Sequence, residues 1–314
     1  MSEPSFASFY EKVHGYPPFP WQQRLAERVV GGSWPALLDL PTGSGKTSAI
    51  DIALYALAMK PNAAYRRIFM VVDRRIIVHQ ASQHARTILA KIAAPDAPIE
   101  LRRIAEKLRS LFIDPSERVA ANGRDTAPAA PPPFTVAELR GGMPRETEWA
   151  RRPDQPVVGV STVDQVGSRL LFRGYGVSPG MAPIHAGLLG NDVLYLLDEV
   201  HLARPFADTL RVIKTRWQHK GARFAVVRMS ATPCEDRHDD RNTSSTTVVP
   251  FGLNSLDREN EVLARRLGAT KTARCKEVKV VGDEQKRRAK LAKACVEQVE
   301  LMLSRGARVI GVVV

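Results

Sequence analysis

At 314 residues and 44% hydrophobic, the chain holds enough apolar material for at least one full core. Its formal net charge of +13 points to a polyanionic partner, most simply nucleic acid, although a surface of solvated arginines gives the same balance. No apolar run approaches the roughly 20 residues of a membrane span, Met1 to Gly15 lacks a signal-type apolar segment, and Cys234, Cys275 and Cys295 have no metal-ligand spacing, which disfavours a membrane protein, a disulfide framework and a zinc site and leaves a cytoplasmic protein as the expectation.

In chain order, Phe19-Pro20-Trp21-Gln22 precedes a helical stretch, Arg24 to Val30, closed by Gly31-Gly32. A Gln ahead of a phosphate-binding loop can offer adenine both a donor and an acceptor, and it is equally an ordinary residue at a helix start. The apolar run Pro35 to Leu38 reads as a strand and Ser48 to Met59 as a helix. Between them stands Pro41-Thr42-Gly43-Ser44-Gly45-Lys46-Thr47. Strand, Gly-rich turn, Gly-Lys-Thr and helix is the layout of a P-loop. Thr42, Gly43, Ser44 and Gly45 would present backbone N–H groups to phosphate oxygens, with the helix N-terminus behind them. Lys46 would reach the β- and γ-phosphates, and the Thr47 hydroxyl would ligate Mg²⁺. ATP and Mg²⁺ are therefore the expected ligands. The common pattern has Gly where this chain has Leu40.

Arg67 to Asp73 reads as a buried strand followed by Arg74, Arg75 and an amphipathic helix, Ile76 to Ala94. Basic residues at the C-terminal end of a parallel strand share the P-loop's rim, where they meet a phosphate backbone or simply open a solvated helix. Residues 95–134 contain a helical piece, Ile99 to Phe112, and an Ala/Pro-rich run that reads as an insertion. The next strand, from Val136, ends in Gly141-Gly142, a pair that permits close approach of another backbone. Val157 to Thr162 is a further buried strand. It opens on Val163-Asp164-Gln165, with Ser161 or Thr162 as the helix cap. Arg169 to Leu189 reads as loop.

Val193 to Leu197 delivers Asp198, Glu199 and His201 to a strand's C-terminal end. Asp198 would hold Mg²⁺ and Glu199 would polarise the attacking water; the alternative is a strand-ending Asp that caps the next helix. Phe224 to Arg228 is another strand, ending in Met229-Ser230-Ala231-Thr232. The Ser230 and Thr232 hydroxyls could contact the Asp198, Glu199 and His201 cluster and relay nucleotide state, or merely form a strand-to-turn junction. His238-Asp239 lies in a charged loop without matching metal ligands. Asp257 to Leu267 and Asp283 to Leu303 read as helices, and Ala307 to Val314 as a strand on which the chain stops.

Gln22, Pro41 to Thr47, Asp198-Glu199-Val200-His201 and Ser230-Ala231-Thr232, in that order, resemble the motifs of superfamily 2 DEAD/DEAH-type helicases, in which Leu40 is usual. Val72 to Arg75, Leu139 to Gly142, Ser161 to Gln165 and the stretch Arg169 to Phe206 look most like the helicase–nuclease of type I CRISPR systems, in its I-G form. The resemblance covers about residues 17–250. It implies a RecA-like P-loop domain in 1–250, with 95–134 inserted, a linker in 251–282, and a truncated second RecA-like domain beginning in 283–314. It also implies a motor moving on single-stranded DNA, beside a CRISPR RNA-guided surveillance complex. Arg74, Arg75, Gly141, Gly142, Thr162 and Gln165 would lie on the DNA path. The second domain's arginine finger and the nuclease domain are not found in the sequence. The alternatives are a nucleotide- and DNA-binding fragment without turnover, or a restriction or repair translocase of the same superfamily.

Overall fold

The computed structural model describes residues 3–112, 131–141, 147–199, 203–218, 221, 223–230, 249–269, 277 and 283–306. They fall into two units, Met1–Gly268 and Ala269–Val314. The first is an α/β domain built on seven strands: β1 (Leu37–Asp39), β2 (Arg67–Val72), β3 (Thr135–Leu139), β4 (Val157–Thr162), β5 (Val193–Asp198), β6 (Phe224–Ser230) and β7 (Phe251–Gly252). All pair in parallel, in the spatial order β3-β4-β2-β5-β6-β1-β7.

Continuous apolar runs form the central strands because both faces are covered. Ile68, Met70 and Val72 enter one core with Leu194, Leu196, Val158 and Val160. Phe69 and Val71 enter the other with Tyr195, Leu197, Val193 and Val157. The alternation is the period of two that a pleated strand imposes. A Cβ at Gly159 would lie 2.2 Å from the Phe69 ring, so that strand position admits only glycine.

The first core is covered by α1 (Phe6–His14), α2 (Pro20–Val30), α3 (Ala49–Met59), α4 (Arg75–Ala93) and α5 (Ile99–Arg109). The second is covered by α6 (Glu148–Arg151), α7 (Val163–Leu170), α8 (Ala182–Gly190) and α9 (Arg204–Gln218). Part of the expected insertion therefore belongs to the core, since Leu101, Ile104, Ala105 and Leu108 of α5 are buried. Part of the stretch expected as loop is α8, where Pro183 stands in the first turn. Proline is tolerated there because its missing N–H has no helical partner to lose.

The domain does not stop at residue 250. Phe251 and Gly252 pair with β1, and α10 (Ser255–Glu259) and α11 (Glu261–Leu267) follow. Leu263 is fully buried. Asp257, also buried, pairs with Arg24 of α2, whose guanidinium also covers the Phe251 ring. This stretch was expected to be a linker; its hydrophobic anchors are too few and too dispersed to show a period. The expected single helix from Asp257 is interrupted at Asn260, whose side chain caps the next helix through the Leu263 N–H at 3.0 Å. In the second unit, α12 (Glu284–Ser304) begins on Asp283, which caps the Lys286 N–H at 2.9 Å. None of its residues is buried, and Leu291, Val296, Leu301 and Met302 stand exposed. The expected final strand lies outside the described residues.

Some of the positive charge is structural. Arg67 is buried and donates to the Pro153 and Asn191 carbonyls, and Arg66, Arg67 and Arg223 surround Asp192 at 3.7 Å. No helix of the described residues is long and apolar enough to cross a membrane.

Candidate functional site

Strand register collects the predicted residues. Asp39 lies opposite Ser230, Asp198 opposite Met229, Val72 opposite Thr162 and Leu139 opposite Ser161. The chain after each of these strands therefore emerges on one rim, the C-terminal edge where open α/β sheets bind ligands. Across the rim run Gly141 after β3, Thr162 ending β4, Arg74 after β2, Asp198 ending β5, Ser230 ending β6 and the P-loop after β1.

The P-loop is an arch. Gly43 and Gly45 both have φ of 86°, a left-handed conformation that glycine adopts without a Cβ penalty. Lys46 to Ser48 make one tight turn before α3 starts. Thr42 and Gly43 face solvent, and Thr47 is half-buried. The arch is braced from α2. Trp21 Nε1 donates to the Ser44 carbonyl at 3.1 Å, and Ser44 Oγ donates to the Pro41 carbonyl at 2.7 Å. Gln22 Nε2 donates to Ser48 Oγ at 2.8 Å, while its Oε1 accepts from the Phe19 N–H at 2.7 Å. Gln22 is buried, and its amide ties the start of α2 to the P-loop. The base-reading role expected for it would have to compete with these bonds. Trp21 was missed from the sequence; its position beside Gln22 was the available signal.

Lys46 points across the rim to the two acids. Its Nζ donates to Glu199 Oε1 at 3.1 Å and lies 3.9 Å from Asp198 Oδ1. Glu199 has φ of 49°, a left-handed conformation that a side-chain-bearing residue adopts only under constraint from its surroundings. Among the described residues, Asp198 Oδ1 is buried and accepts no hydrogen bond. Burial, and secondarily the Glu199 charge, push the Asp198 carboxyl above its ordinary range, against the pull of Lys46. A buried carboxylate oxygen without a donor is a place where a hard cation relieves the desolvation cost. Asp198 and Thr47 thus fit Mg²⁺ by donor type, and the arch with Lys46 fits a polyphosphate. Ser230 is buried beside this cluster, and Leu40 N donates to its carbonyl at 3.1 Å. His201 and Thr232 lie outside the described residues.

The other half of the rim is basic. Arg74 and Arg75 are exposed at the start of α4. A Cβ at Gly141 would sit 3.3 Å from Arg75 Nη2, so the guanidinium lies against the glycine backbone. Beneath them is Glu138 of β3, which sequence reading missed. It is buried, with Arg140 Nε at 2.7 Å, Arg86 Nη1 at 3.2 Å and His79 Nδ1 at 3.7 Å. Thr162 occupies the cap position of α7 without a side-chain capping bond. Gln165 Oε1 accepts from Arg169 Nη1 at 2.7 Å. Gly142 lies outside the described residues.

Residues 15–110 match the family model described as type III restriction enzyme, res subunit. No curated protein matches. Among solved structures, the chain is similar to a hypothetical ATP-dependent RNA helicase from Sulfolobus tokodaii, at 17% identity and a TM-score of 0.40 over 74% of this chain and 51% of that one. It is similar to T. fusca Cas3 with ATP at 16% identity and a TM-score of 0.41, over 73% of this chain and 22% of that one. It is also similar to the DEAD-box helicase Mss116 bound to ssRNA and UDP-BeF, at 14% identity and a TM-score of 0.41, over 74% and 42% of the two chains. The chain spans about half the length of the first of these and less of the other two.

Proposed function

We propose that the chain is the nucleotide-binding half of a superfamily 2 nucleic-acid motor, an ATP hydrolase acting on single-stranded DNA within a type I CRISPR defence system. The observation that carries the reading is the Lys46, Asp198 and Glu199 constellation, with one buried carboxylate oxygen that has no donor among the described residues. Lys46 binds phosphate oxygens and gives up its ion pair with Glu199 to do so, and that carboxylate orients the attacking water. The Thr42 to Gly45 backbone N–H groups hold the phosphates, and Gln22 fixes the loop against α2. Asp198 and Thr47 would hold Mg²⁺, which supplies charge neutralisation at the phosphates when bound. Ser230, with His201 and Thr232, links the site to movement. A complete cleft needs an arginine finger from a second domain, worth roughly 10³-fold or more in turnover.

Single-stranded DNA would cross the basic half of the rim, over Arg74, Arg75, Gly141, Gly142, Thr162 and Gln165. The excess of +13 supports backbone contacts as the main mode. The match of residues 15–110 to a restriction-subunit family model favours a second reading, a translocase on duplex DNA. Hydrolysis by the chain with single-stranded, duplex or no DNA, beside Lys46→Ala and Glu199→Gln, tests both. Stimulation by single strands that both substitutions abolish supports the first, and stimulation by duplex supports the second. Nucleotide binding that survives Lys46→Ala overturns the P-loop reading itself.

A further inference from the structure

The helix behind the P-loop carries a carboxylate that the nucleotide site does not use. Every residue of α3 from Ala49 to Ala58 is buried, and Asp51 is the one charged side chain among them. Isolated, a carboxylate at that depth costs several kcal/mol. Two imidazoles from two other helices meet it. His14, the last residue of α1, brings Nε2 to 2.8 Å from Asp51 Oδ1, and His84 of α4 brings Nε2 to 2.6 Å from Oδ2. The rings stack at 5.1 Å with an interplanar angle of 11°, and each directs its Nε2 to one oxygen of the same carboxylate. Tyr10 and Tyr16 flank His14, with ring centroids 4.4 and 5.8 Å away. The His84 side chain is 23% exposed, which leaves one side of the cluster open to water.

We propose that His14, Asp51 and His84 form a site for one divalent transition-metal cation, best suited to Zn²⁺. Their donor atoms all lie within 4.8 Å of one another. Two imidazole nitrogens, one carboxylate oxygen and a water complete a tetrahedral set. The donors discriminate against Mg²⁺, which prefers oxygen-rich octahedral surroundings, so this site and the nucleotide's metal would not compete. The present N···O separations are hydrogen-bond lengths. Bonds of about 2.0–2.1 Å in a tetrahedron set donors about 3.3 Å apart, so loading opens the cluster by roughly half an ångström. Each neutral ring moves its proton from Nε2 to Nδ1 on loading, and a protonated ring releases one, so acid weakens binding. The cation would pin α1, α3 and α4 together, directly behind the P-loop.

The test uses the whole 314-residue chain, stripped with a chelator and held in excess Mg²⁺. Co²⁺ is titrated by visible absorbance and Zn²⁺ by thermal unfolding. One equivalent of Co²⁺ with ligand-field bands and no thiolate charge-transfer band, together with a rise in Tm of roughly 5–10 °C at saturating Zn²⁺, is the expected result. Both signals are lost in His84→Gln and in Asp51→Asn. Lys46→Ala keeps both while losing nucleotide, which separates this site from the nucleotide reading. A thiolate band, or no rise in Tm with Zn²⁺, overturns the proposal. So does Co²⁺ binding unchanged in His84→Gln, a part-exposed position whose variant is checked for folding by circular dichroism.

Discussion

The two halves of the rim solve opposite electrostatic problems. On the β1, β6 and β5 side, Lys46 faces two acids, and Asp198 has a buried oxygen without a donor among the described residues. On the β2, β4 and β3 side, a single buried acid, Glu138, gathers two arginines and a histidine, with Arg75 close by on Gly141. Among the described residues, the first half is short of positive charge and the second has it in excess. On the proposed reading, one is completed by a cation and a polyphosphate and the other by a polyanion. Ligand sites commonly carry such local imbalance, because a site already satisfied by its own residues has nothing to offer a partner.

The largest effect should come from Lys46→Ala, which removes the cation paired with Glu199. Turnover should fall on the order of 100-fold or more, while charge-driven DNA binding, measured by fluorescence anisotropy, stays as it was. Loss of both activities together would show that the halves are not separable. Next is Glu138→Ala, which leaves its cations facing one another over a buried gap and should cost about 2 kcal/mol in urea unfolding, part-exposure of the arginines holding the figure down. DNA affinity should hold or rise, since the substitution removes a negative charge from the basic half.

A smaller effect concerns Asp198. Its folded-state pKa is raised, chiefly by burial. A raised group contributes stability that is fully present below its unfolded value, about 4 for Asp, and lost as pH rises through the folded value. The nucleotide-free chain should therefore lose stability across that window, and Asp198→Asn should flatten the loss and gain about 1 kcal/mol at neutral pH. Identical pH profiles of urea unfolding for the two proteins would contradict this. The smallest effect is Arg75→Ala, which should lower the slope of log K against log salt for single-stranded DNA by about 0.7, the share of one phosphate contact.

The acidic half of the rim was largely legible in advance because its signals are local. A Gly-Lys-Thr turn must follow a strand and start a helix, and two acids after an apolar run must emerge at a strand end. The basic half was legible only in part. Arg74 and Arg75 stand out as a pair, but Glu138 sits among apolar neighbours, and its partners come from α4 and from Arg140 beyond the strand end. Likewise α8 carries no clear apolar stripe, and Pro183 reads as a breaker until its place in the first turn is known.

The sequence by itself determined the parallel sheet, the P-loop and the strand that carries Asp198 and Glu199, because backbone period, glycine placement and strand-end chemistry act over a few residues. Only the tertiary structure decided that Gln22 is spent on bracing the loop, that residues 251–268 belong to the domain, and that His14, Asp51 and His84 meet. Those outcomes depend on the burial of groups far apart in the chain, where the cost of an unpartnered polar atom, rather than any local pattern, selects the neighbour.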